Sequence, residues 1–534
     1  MKYFLFVWMT LCAGLVVRAD AVWQWSIPIG NGRAFLWIPE NCRQVRAVVI
    51  GQNNMIEEGI LQHPVFRKEM AKLGIAEIFI APPFDTFQSA TNNDAVNEKF
   101  NAMLKSLAAD SGYGELEFAP IIPIGHSAMA SYPWNFAAWN PTRTLAILSV
   151  HGDAPQTTLV GNGRPNLDWG GRNIDGIPGL MVMGEYEWWE DRLAPAQKFL
   201  TEHPAAPVAF LAEPGRGHFD YSDDLVKFLA LFIRKAAEAR LPDMKPVNLQ
   251  NGWLVQRWHL NQPRDVKPAP FAKFAGGTND AFWAFDKETA WAIQNYRASQ
   301  IGKSPQLLGF VQDEITVPQT DTHNQVSLKF EPDADGLTFH LAAKFLDFVD
   351  GGSKNPTRWT GLAAGSPIGH ATGGGPIKMS RITGPVEQLS EDTFAVRFNR
   401  ATVSVDRRAG DIWLLAEHPG DAKFKGAVQQ ALLKIPAQLK DGVEQQITFP
   451  EIADVKQGVT KIKLAASSDA GVPVFYYVRE GPAEIIGDEL KFTTIPFRAK
   501  FPVKVTVVAW QYGRVNEPKL KSAAPVERTF YINK

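Results

Sequence analysis

Residues 120–130 read Pro120-Ile121-Ile122-Pro123-Ile124-Gly125-His126-Ser127-Ala128-Met129-Ala130, and this stretch decides the fold. An apolar run of strand length ends at Gly125, and Ser127 follows two residues later, before small residues and a segment compatible with a helix. This pattern is typical of a nucleophile elbow, in which a serine lies on a strained turn between a strand and a helix. We expect a glycine at position 125 because a Cβ there would press on the neighbouring helix. Met129 stands where the common Gly-x-Ser-x-Gly pattern has its second glycine, so the motif needs partners elsewhere in the chain.

Length and composition indicate a globular protein with several domains. The chain has 534 residues, 45% of them hydrophobic and 21% charged. A chain of this length is expected to form about two to four domains. The formal net charge of −1 gives no electrostatic reason to expect nucleic acid or an anionic membrane as a partner. Histidines and cysteines do not cluster with metal-ligand spacing, and we expect neither a metal nor a cofactor.

Residues 1–21 predict a secretory signal peptide. Lys2 precedes an apolar run, and Ala19-Asp20-Ala21 forms an A-x-A-type cleavage site before Val22. The run is short for a membrane span, and no later stretch is long enough to be one; an uncleaved anchor is the alternative. Cleavage would remove Cys12 and leave Cys42 as a lone structural thiol, so no intrachain disulfide could form. We therefore expect a periplasmic or secreted protein.

Strand-like and helix-like segments alternate from about residue 22 to residue 242. Continuous apolar strands that alternate with helices predict a mostly parallel sheet with helices on both faces. The predicted strands are 34–39, 46–50, 75–80, 121–124, 144–150, 179–183 and 207–211, and the predicted helices are 63–73, 95–109 and 225–240.

The second half of the chain predicts antiparallel β-structure. Alternating segments such as 325–330 and 395–398 dominate after residue 241, with turn residues between them. The final segments have the pattern of an immunoglobulin- or fibronectin-like β-sandwich. The predicted organisation is a signal peptide (1–21), an α/β domain (22–242), a β-rich middle region (243–447) and a β-sandwich (448–534).

Two later motifs supply partners for Ser127. A serine hydroxyl needs a base to become a nucleophile, and the base needs an orienting acid. Gly184-Glu185-Tyr186-Glu187 follows the predicted strand 179–183, and Gly215-Arg216-Gly217-His218 follows the strand 207–211. The order serine, acid, histidine is that of the α/β-hydrolase fold. Residues 45–240 therefore resemble an α/β-hydrolase, and the resemblance covers the first half of the chain.

The resemblance implies a role for each of these residues. Ser127 is the expected nucleophile, and His218 is the expected general base, which takes the serine proton and returns it to the leaving alcohol. Glu187 falls where the family usually has an aspartate, but three acids nearby are close rivals: Glu185, Glu190 and Asp191.

An oxyanion hole should complete this machinery. The first donor should be the backbone N–H of Ala128, directly after the nucleophile, and the second should come from Gln52 or Asn53.

Further residues that follow strands are candidates for substrate contact. His126 is next to the nucleophile, although its side chain should point away, and His151 is a rival base, a substrate ligand or a structural hydrogen-bond partner. Indole faces are suited to stacking on sugar rings, and Arg164 or Arg172 could meet a carboxylate. The candidate aromatic residues are Trp134, Trp139, Trp169, Tyr186, Trp188 and Trp189.

The sequence thus predicts a secreted serine hydrolase that cleaves an ester bond. The expected substrate is an acyl or uronoyl ester on a polysaccharide or oligosaccharide, because export and appended β-domains often accompany glycan-processing enzymes. Two alternatives stay open. The first is a peptidase of the same fold, which assays with amide and ester substrates would distinguish from an esterase. A hydrolase fold that has lost activity and binds glycan would fail to react with a fluorophosphonate.

Overall fold

A computed structural model describes residues 22–83, 87, 93–157, 166–260, 262, 264–296, 298–319, 323–401 and 408–534. The predicted signal peptide and Arg164 lie outside the described residues.

One eight-stranded sheet organises the first half of the chain. Its strands are β1 Trp25–Ile29, β2 Gly32–Trp37, β3 Ala47–Gln52, β4 Ile75–Ala81, β5 Ile121–His126, β6 Ile147–Val150, β7 Gly179–Gly184 and β8 Val208–Glu213. Across the sheet the order is β1-β2-β4-β3-β5-β6-β7-β8. The pairs β1–β2 and β2–β4 are antiparallel, and the pairs from β4 across to β8 are parallel. The carboxyl ends of these parallel strands therefore meet along the same edge.

Helices cover both faces of this sheet. They are α1 Glu57–Leu61, α2 Pro64–Leu73, α3 Asn93–Ser111, α4 Ser131–Trp139, α5 Glu190–Glu202 and α6 Asp223–Arg240. Successive side chains of a strand point to opposite faces. Val49 of β3 accordingly packs in a core with Leu225 of α6, whereas Val48 packs in a core with Phe100 of α3. The predicted α/β-hydrolase architecture is confirmed.

The chain after α6 is built mainly from antiparallel strands, which confirms the predicted all-β part. The elements up to residue 434 are β9 Trp253–Gln256, β10 Ala269–Pro270, β11 Ala281–Ala284, α7 Lys287–Asn295, β12 Leu308–Gln312, β13 Ile315–Thr316, β14 Val326–Leu328, β15 Thr338–His340, β16 Ala342–Phe345, α8 Asn355–Thr360, β17 Lys378–Thr383, β18 Val386–Gln388, β19 Thr393–Val396, β20 Asp411–His418 and β21 Ala427–Lys434. Those that follow are β22 Ile447–Thr448, β23 Val455–Lys456, β24 Lys461–Lys463, β25 Ser467–Ser468, β26 Phe475–Glu480, β27 Ala483–Ile486, β28 Glu489–Phe492, β29 Val503–Trp510 and β30 Val526–Asn533.

The β-rich middle region packs directly on the α/β region. Phe282 of β11 lies 5.2 Å from Phe210 of β8, ring centroid to ring centroid. Trp413 of β20 lies 4.4 Å from Phe219, which follows β8. Both contacts are between largely buried side chains, so the apolar core of the α/β region continues beyond residue 242. The exact domain boundaries stay predictions.

Among the described residues, no helix is both long enough and apolar enough to cross a membrane.

Gly125 offers a direct test of the turn after β5. A Cβ at Gly125 would lie 2.1 Å from the carbonyl oxygen of Met129, so the turn would have to shift. We expect Gly125→Ala to lower the free energy of unfolding by about 1–3 kcal/mol, measured by urea denaturation. Gly114→Ala is the matched control, because a Cβ there meets nothing within 4 Å. Equal stabilities of the two variants would contradict this account of the turn.

Candidate active site

Ser127 lies on a strained turn at the carboxyl end of β5. Its φ is +53°, in the left-handed region that L residues rarely adopt, and residues Ser127–Met129 form a single turn of 3₁₀ helix before α4. The strand, the strained serine and the helix form the nucleophile elbow expected from the sequence. Ser127 is 8% exposed, so the residue is largely buried.

Three side chains that follow strands of the parallel part of the sheet converge at this point. Ser127 Oγ lies 2.6 Å from His218 Nε2, and His218 Nδ1 lies 2.5 Å from Glu187 Oε2. Ser127 follows β5, Glu187 follows β7 and His218 follows β8. The Nδ1–Oε2 contact is short but its hydrogen-bond alignment is poor, which is common in resting catalytic sites. The order of contacts is that of a serine–histidine–acid triad.

Of the four candidate acids, Glu187 is the one that contacts His218. Glu187 is 1% exposed and contacts His218. The Glu185 side chain instead accepts a hydrogen bond from Gly215 N–H and pairs with Lys425. Glu190 and Asp191 are exposed residues at the start of α5. Sequence spacing left these four open because the direction of each side chain depends on the local turn.

The protonation states of His218 and Glu187 suit a general base and its acid partner. Burial lowers the pKa of His218 to about 3, against the opposing effect of the Glu187 charge, so the imidazole is neutral at neutral pH. Burial would raise the pKa of Glu187, but His218, Arg192 and a hydrogen bond from His323 outweigh it and hold that pKa well below its usual range. The resting site therefore has an ionised carboxylate beside a neutral imidazole.

His323 is a member of the site that the sequence did not reveal. It lies between β13 and β14 in the middle region, and its Nδ1 donates a hydrogen bond to Glu187 Oε1. Its ring stacks on that of His218, with centroids 4.1 Å apart and planes 10° apart. The surrounding Gln319 to Gln325 segment has no motif, and 136 positions separate His323 from Glu187.

Glu187, His218 and His323 are of residue types that bind metals, and their potential ligand atoms lie within 4.8 Å of one another. Each oxygen of Glu187 already faces one imidazole Nδ1, and Nε2 of His218 faces the serine. A chain of proton donors and acceptors accounts for the cluster.

His126 and His151 hold the backbone of His218. His126 Nε2 lies 2.7 Å and His151 Nδ1 lies 2.9 Å from the carbonyl oxygen of His218. Nε2 of His151 contacts Glu213 at 2.8 Å. Both histidines are fully buried, so neither side chain is exposed for contact with a substrate. These contacts match one of the alternatives for His151, that of a structural hydrogen-bond partner.

The two histidines differ in charge preference. Burial, together with the neighbouring His218 and His151, lowers the pKa of His126 well below its usual value. Burial also opposes the charged form of His151, but the hydrogen bond to Glu213 and its charge outweigh burial and raise the pKa of His151.

The predicted oxyanion-hole residues lie at the elbow and at the end of β3. Ala128 directly follows the nucleophile in the turn, and Gln52 is the last residue of β3 and is buried. The N–H of Asn53 donates to the carbonyl oxygen of Ile80 at 2.8 Å. The N–H of Asn53 is therefore already engaged by a backbone carbonyl in this structure.

Most of the aromatic candidates belong to the core instead of a substrate surface. Trp134 and Trp169 are each 1% exposed, and their indole N–H groups donate to Asp153 O and Asn135 Oδ1. Tyr186 is buried. Trp139 lies under the guanidinium of Arg172, with 4.5 Å between that group and the ring centroid. Sequence position after a strand did not distinguish packing from exposure.

Trp188 and Trp189 line a cavity. The cavity has a volume of about 520 Å³, and its other lining residues are Glu190, Asp191 and Arg358. Trp189 is partly exposed and stacks on the ring of His323, 5.7 Å between centroids. Trp189 thus links the cavity lining to the ring that contacts Glu187, whereas Ser127, Glu187 and His218 are not among the described lining residues.

No protein-family model matches the chain, and no curated protein matches it. Solved structures with a similar arrangement include a phospholipase/carboxylesterase from Dyadobacter fermentans, 16% identical with a TM-score of 0.27 over 39% of this chain and 99% of that chain. An alpha-beta serine hydrolase homologue from Coxiella burnetii is 16% identical with a TM-score of 0.27 over 40% of this chain and 95% of that one. Est1E from Butyrivibrio proteoclasticus is 13% identical with a TM-score of 0.28 over 40% and 96%.

The choice of acid can be tested by the reactivity of Ser127 toward a fluorophosphonate. Glu187→Gln should slow labelling by about 10³–10⁴-fold, because the buried imidazole loses the carboxylate that orients it and stabilises its charged form. Asp191→Asn, a rival acid at the surface, is the matched control and should label within about twofold of the wild-type rate. A similar loss in both variants, or none in Glu187→Gln, would contradict the assignment of Glu187.

Proposed function

We propose that this protein hydrolyses carboxylic esters through an acyl-enzyme on Ser127. The observation that carries the proposal is the 2.6 Å contact between Ser127 Oγ on the elbow and Nε2 of the buried, neutral His218. A neutral imidazole at this distance can accept the hydroxyl proton as Oγ attacks. The ionised Glu187 next to Nδ1 favours the imidazolium that forms.

The reaction follows from these contacts. Ser127 Oγ bonds to the ester carbonyl carbon while its proton passes to His218 Nε2, and the carbonyl oxygen becomes an oxyanion near the N–H of Ala128. Collapse of this intermediate breaks the bond to the alcohol oxygen, which takes the proton from His218. Water then attacks the acyl-enzyme, gives one proton to His218, and releases the carboxylic acid as Ser127 Oγ regains that proton.

We further propose that the ester is an acyl or uronoyl ester of a polysaccharide or oligosaccharide. A cavity of about 520 Å³, whose lining includes Trp189, has room for a sugar-sized group. Trp189 offers a partly exposed indole on its wall, and Arg358 brings a guanidinium that can bind carboxylate or hydroxyl groups of a glycan. The β-rich regions and the proposed export of the chain, either to the periplasm or outside the cell, fit a substrate too large to enter the cell.

Ser127→Ala tests the proposed chemistry. Without Oγ no acyl-enzyme can form, and we expect kcat for p-nitrophenyl acetate to fall by at least about 10³-fold. The control is Ser131→Ala, because Ser131 lies in the first turn of α4, four residues beyond the nucleophile. Activity in the Ser127 variant equal to that of the Ser131 variant would overturn the proposal.

Trp189→Leu tests the proposed substrate class. Loss of the indole should raise KM for an acetylated xylo-oligosaccharide about tenfold, the equivalent of one sugar–indole contact of about 1.4 kcal/mol. The KM for p-nitrophenyl acetate, which has no sugar ring, should stay within about threefold. Trp139→Leu is the matched control, since Trp139 packs against Arg172 outside the cavity lining. Equal changes in KM for the two substrates would count against a glycan in this cavity.

A further inference from the structure

We infer that His323 is a positioning residue: it holds Glu187 in place for His218, so that the β-rich middle region completes a catalytic site built mainly by the α/β region. The inference rests on the proposed function, because it assigns His323 a part in the chemistry of Ser127. Its basis is the set of contacts around the Glu187 carboxylate.

The two oxygens of Glu187 face different partners. Oε2 lies 2.5 Å from His218 Nδ1 in a poorly aligned contact, whereas Oε1 accepts the hydrogen bond of His323. The nearest guanidinium nitrogen of Arg192 is 3.7 Å from Oε1, beyond ordinary hydrogen-bond length. His323 is therefore the group that fixes the rotation of the carboxylate about its last torsion. A glutamate has one more rotatable bond than an aspartate, so a second anchor matters more here.

His323 is itself held by the middle region. His323 and Asn324 have φ values of +56° and +58°, two consecutive left-handed residues. The carbonyl oxygen of Asn324 accepts a hydrogen bond from Gln429 Nε2 at 2.7 Å, which ties this turn to β21. Backbone strain of this kind persists where surrounding contacts over-determine it and is frequent at functional sites.

The rings on either side fix the plane of His323. It stacks on His218 at 4.1 Å and on Trp189 at 5.7 Å, and the ring of Phe219 meets it nearly edge-on at 5.2 Å. Its side chain is 16% exposed. The ring is thus held between His218 of the triad and Trp189, one of the residues that line the cavity.

This placement has an electrostatic consequence for His218. A donor on Oε1 stabilises the carboxylate, which weakens its pull on a charged His218. Removal of the donor should make Glu187 a stronger partner of the imidazolium and move the pKa of His218 upward. Among the described residues, Arg192, His126 and His151 also lie near His218, and Arg192 approaches Oε1 only to 3.7 Å, so His323 is the hydrogen-bond donor on Oε1.

Two substitutions separate positioning from packing. His323→Phe keeps a stacked ring and removes the donor, whereas His323→Asn keeps an N–H donor near the position of Nδ1. We expect His323→Phe to lower kcat by about tenfold or more with KM within about threefold, and to move the acid limb of kcat/KM to higher pH. His323→Asn should keep the acid limb of kcat/KM at its wild-type position and retain most of kcat.

His370→Phe is the matched control, because His370 also stacks on an aromatic ring of the middle region, that of Phe345 at 4.5 Å, and should change neither quantity. An unmoved acid limb in His323→Phe, or equal impairment of the Phe and Asn variants, would overturn the inference.

A measurement without turnover distinguishes this inference from the proposed function. NMR titration of His218 in a Ser127→Ala background should give a higher pKa after His323→Phe and a near-native pKa after His323→Asn. An unchanged His218 pKa in the Phe variant would overturn the role of His323 even if esters are hydrolysed. Failure of the wild-type protein to hydrolyse esters, with the His218 coupling intact, would instead overturn the proposed function.

Discussion

The buried contact between the Glu187 carboxylate and the His218 imidazole is the constraint on which the site depends. Both groups are almost completely excluded from water, so an unpaired charge on either would be costly. Their mutual contact permits an ionised acid and a neutral base to coexist in the interior. In this arrangement Nε2 of His218 faces the elbow and gives Ser127 a proton acceptor.

The loop that carries His218 is held from two sides. From the α/β region, His126 and His151 both bind the carbonyl oxygen of His218. From the middle region, Gln430 of β21 donates to Asp220 at 2.5 Å, and Trp413 of β20 packs on Phe219. The β-rich region therefore helps to support the site. Composition and the alternation of polar and apolar residues did not predict this role.

The sequence predicted the features that are encoded locally. The apolar strands and the Gly125-to-Ser127 turn are short-range patterns, and the order of Ser127 and His218 along the chain follows the fold. The family resemblance pointed to Glu187, but spacing alone did not exclude Glu185, because the outcome depends on which way each side chain leaves the same turn. His323 was not predictable either, since it reaches Glu187 across 136 positions from a loop without a motif. Trp134 and Trp169 look like Trp189 in sequence, and only packing separates them.

The most direct test of the account is a crystal structure of the protein after reaction with a fluorophosphonate. We expect a covalent bond from Ser127 Oγ to phosphorus, a phosphonyl oxygen within hydrogen-bond distance of the N–H of Ala128, and an aligned hydrogen bond from His218 Nδ1 to Glu187. An adduct on another residue, or a Ser127 adduct with His218 turned away from Glu187, would contradict the account.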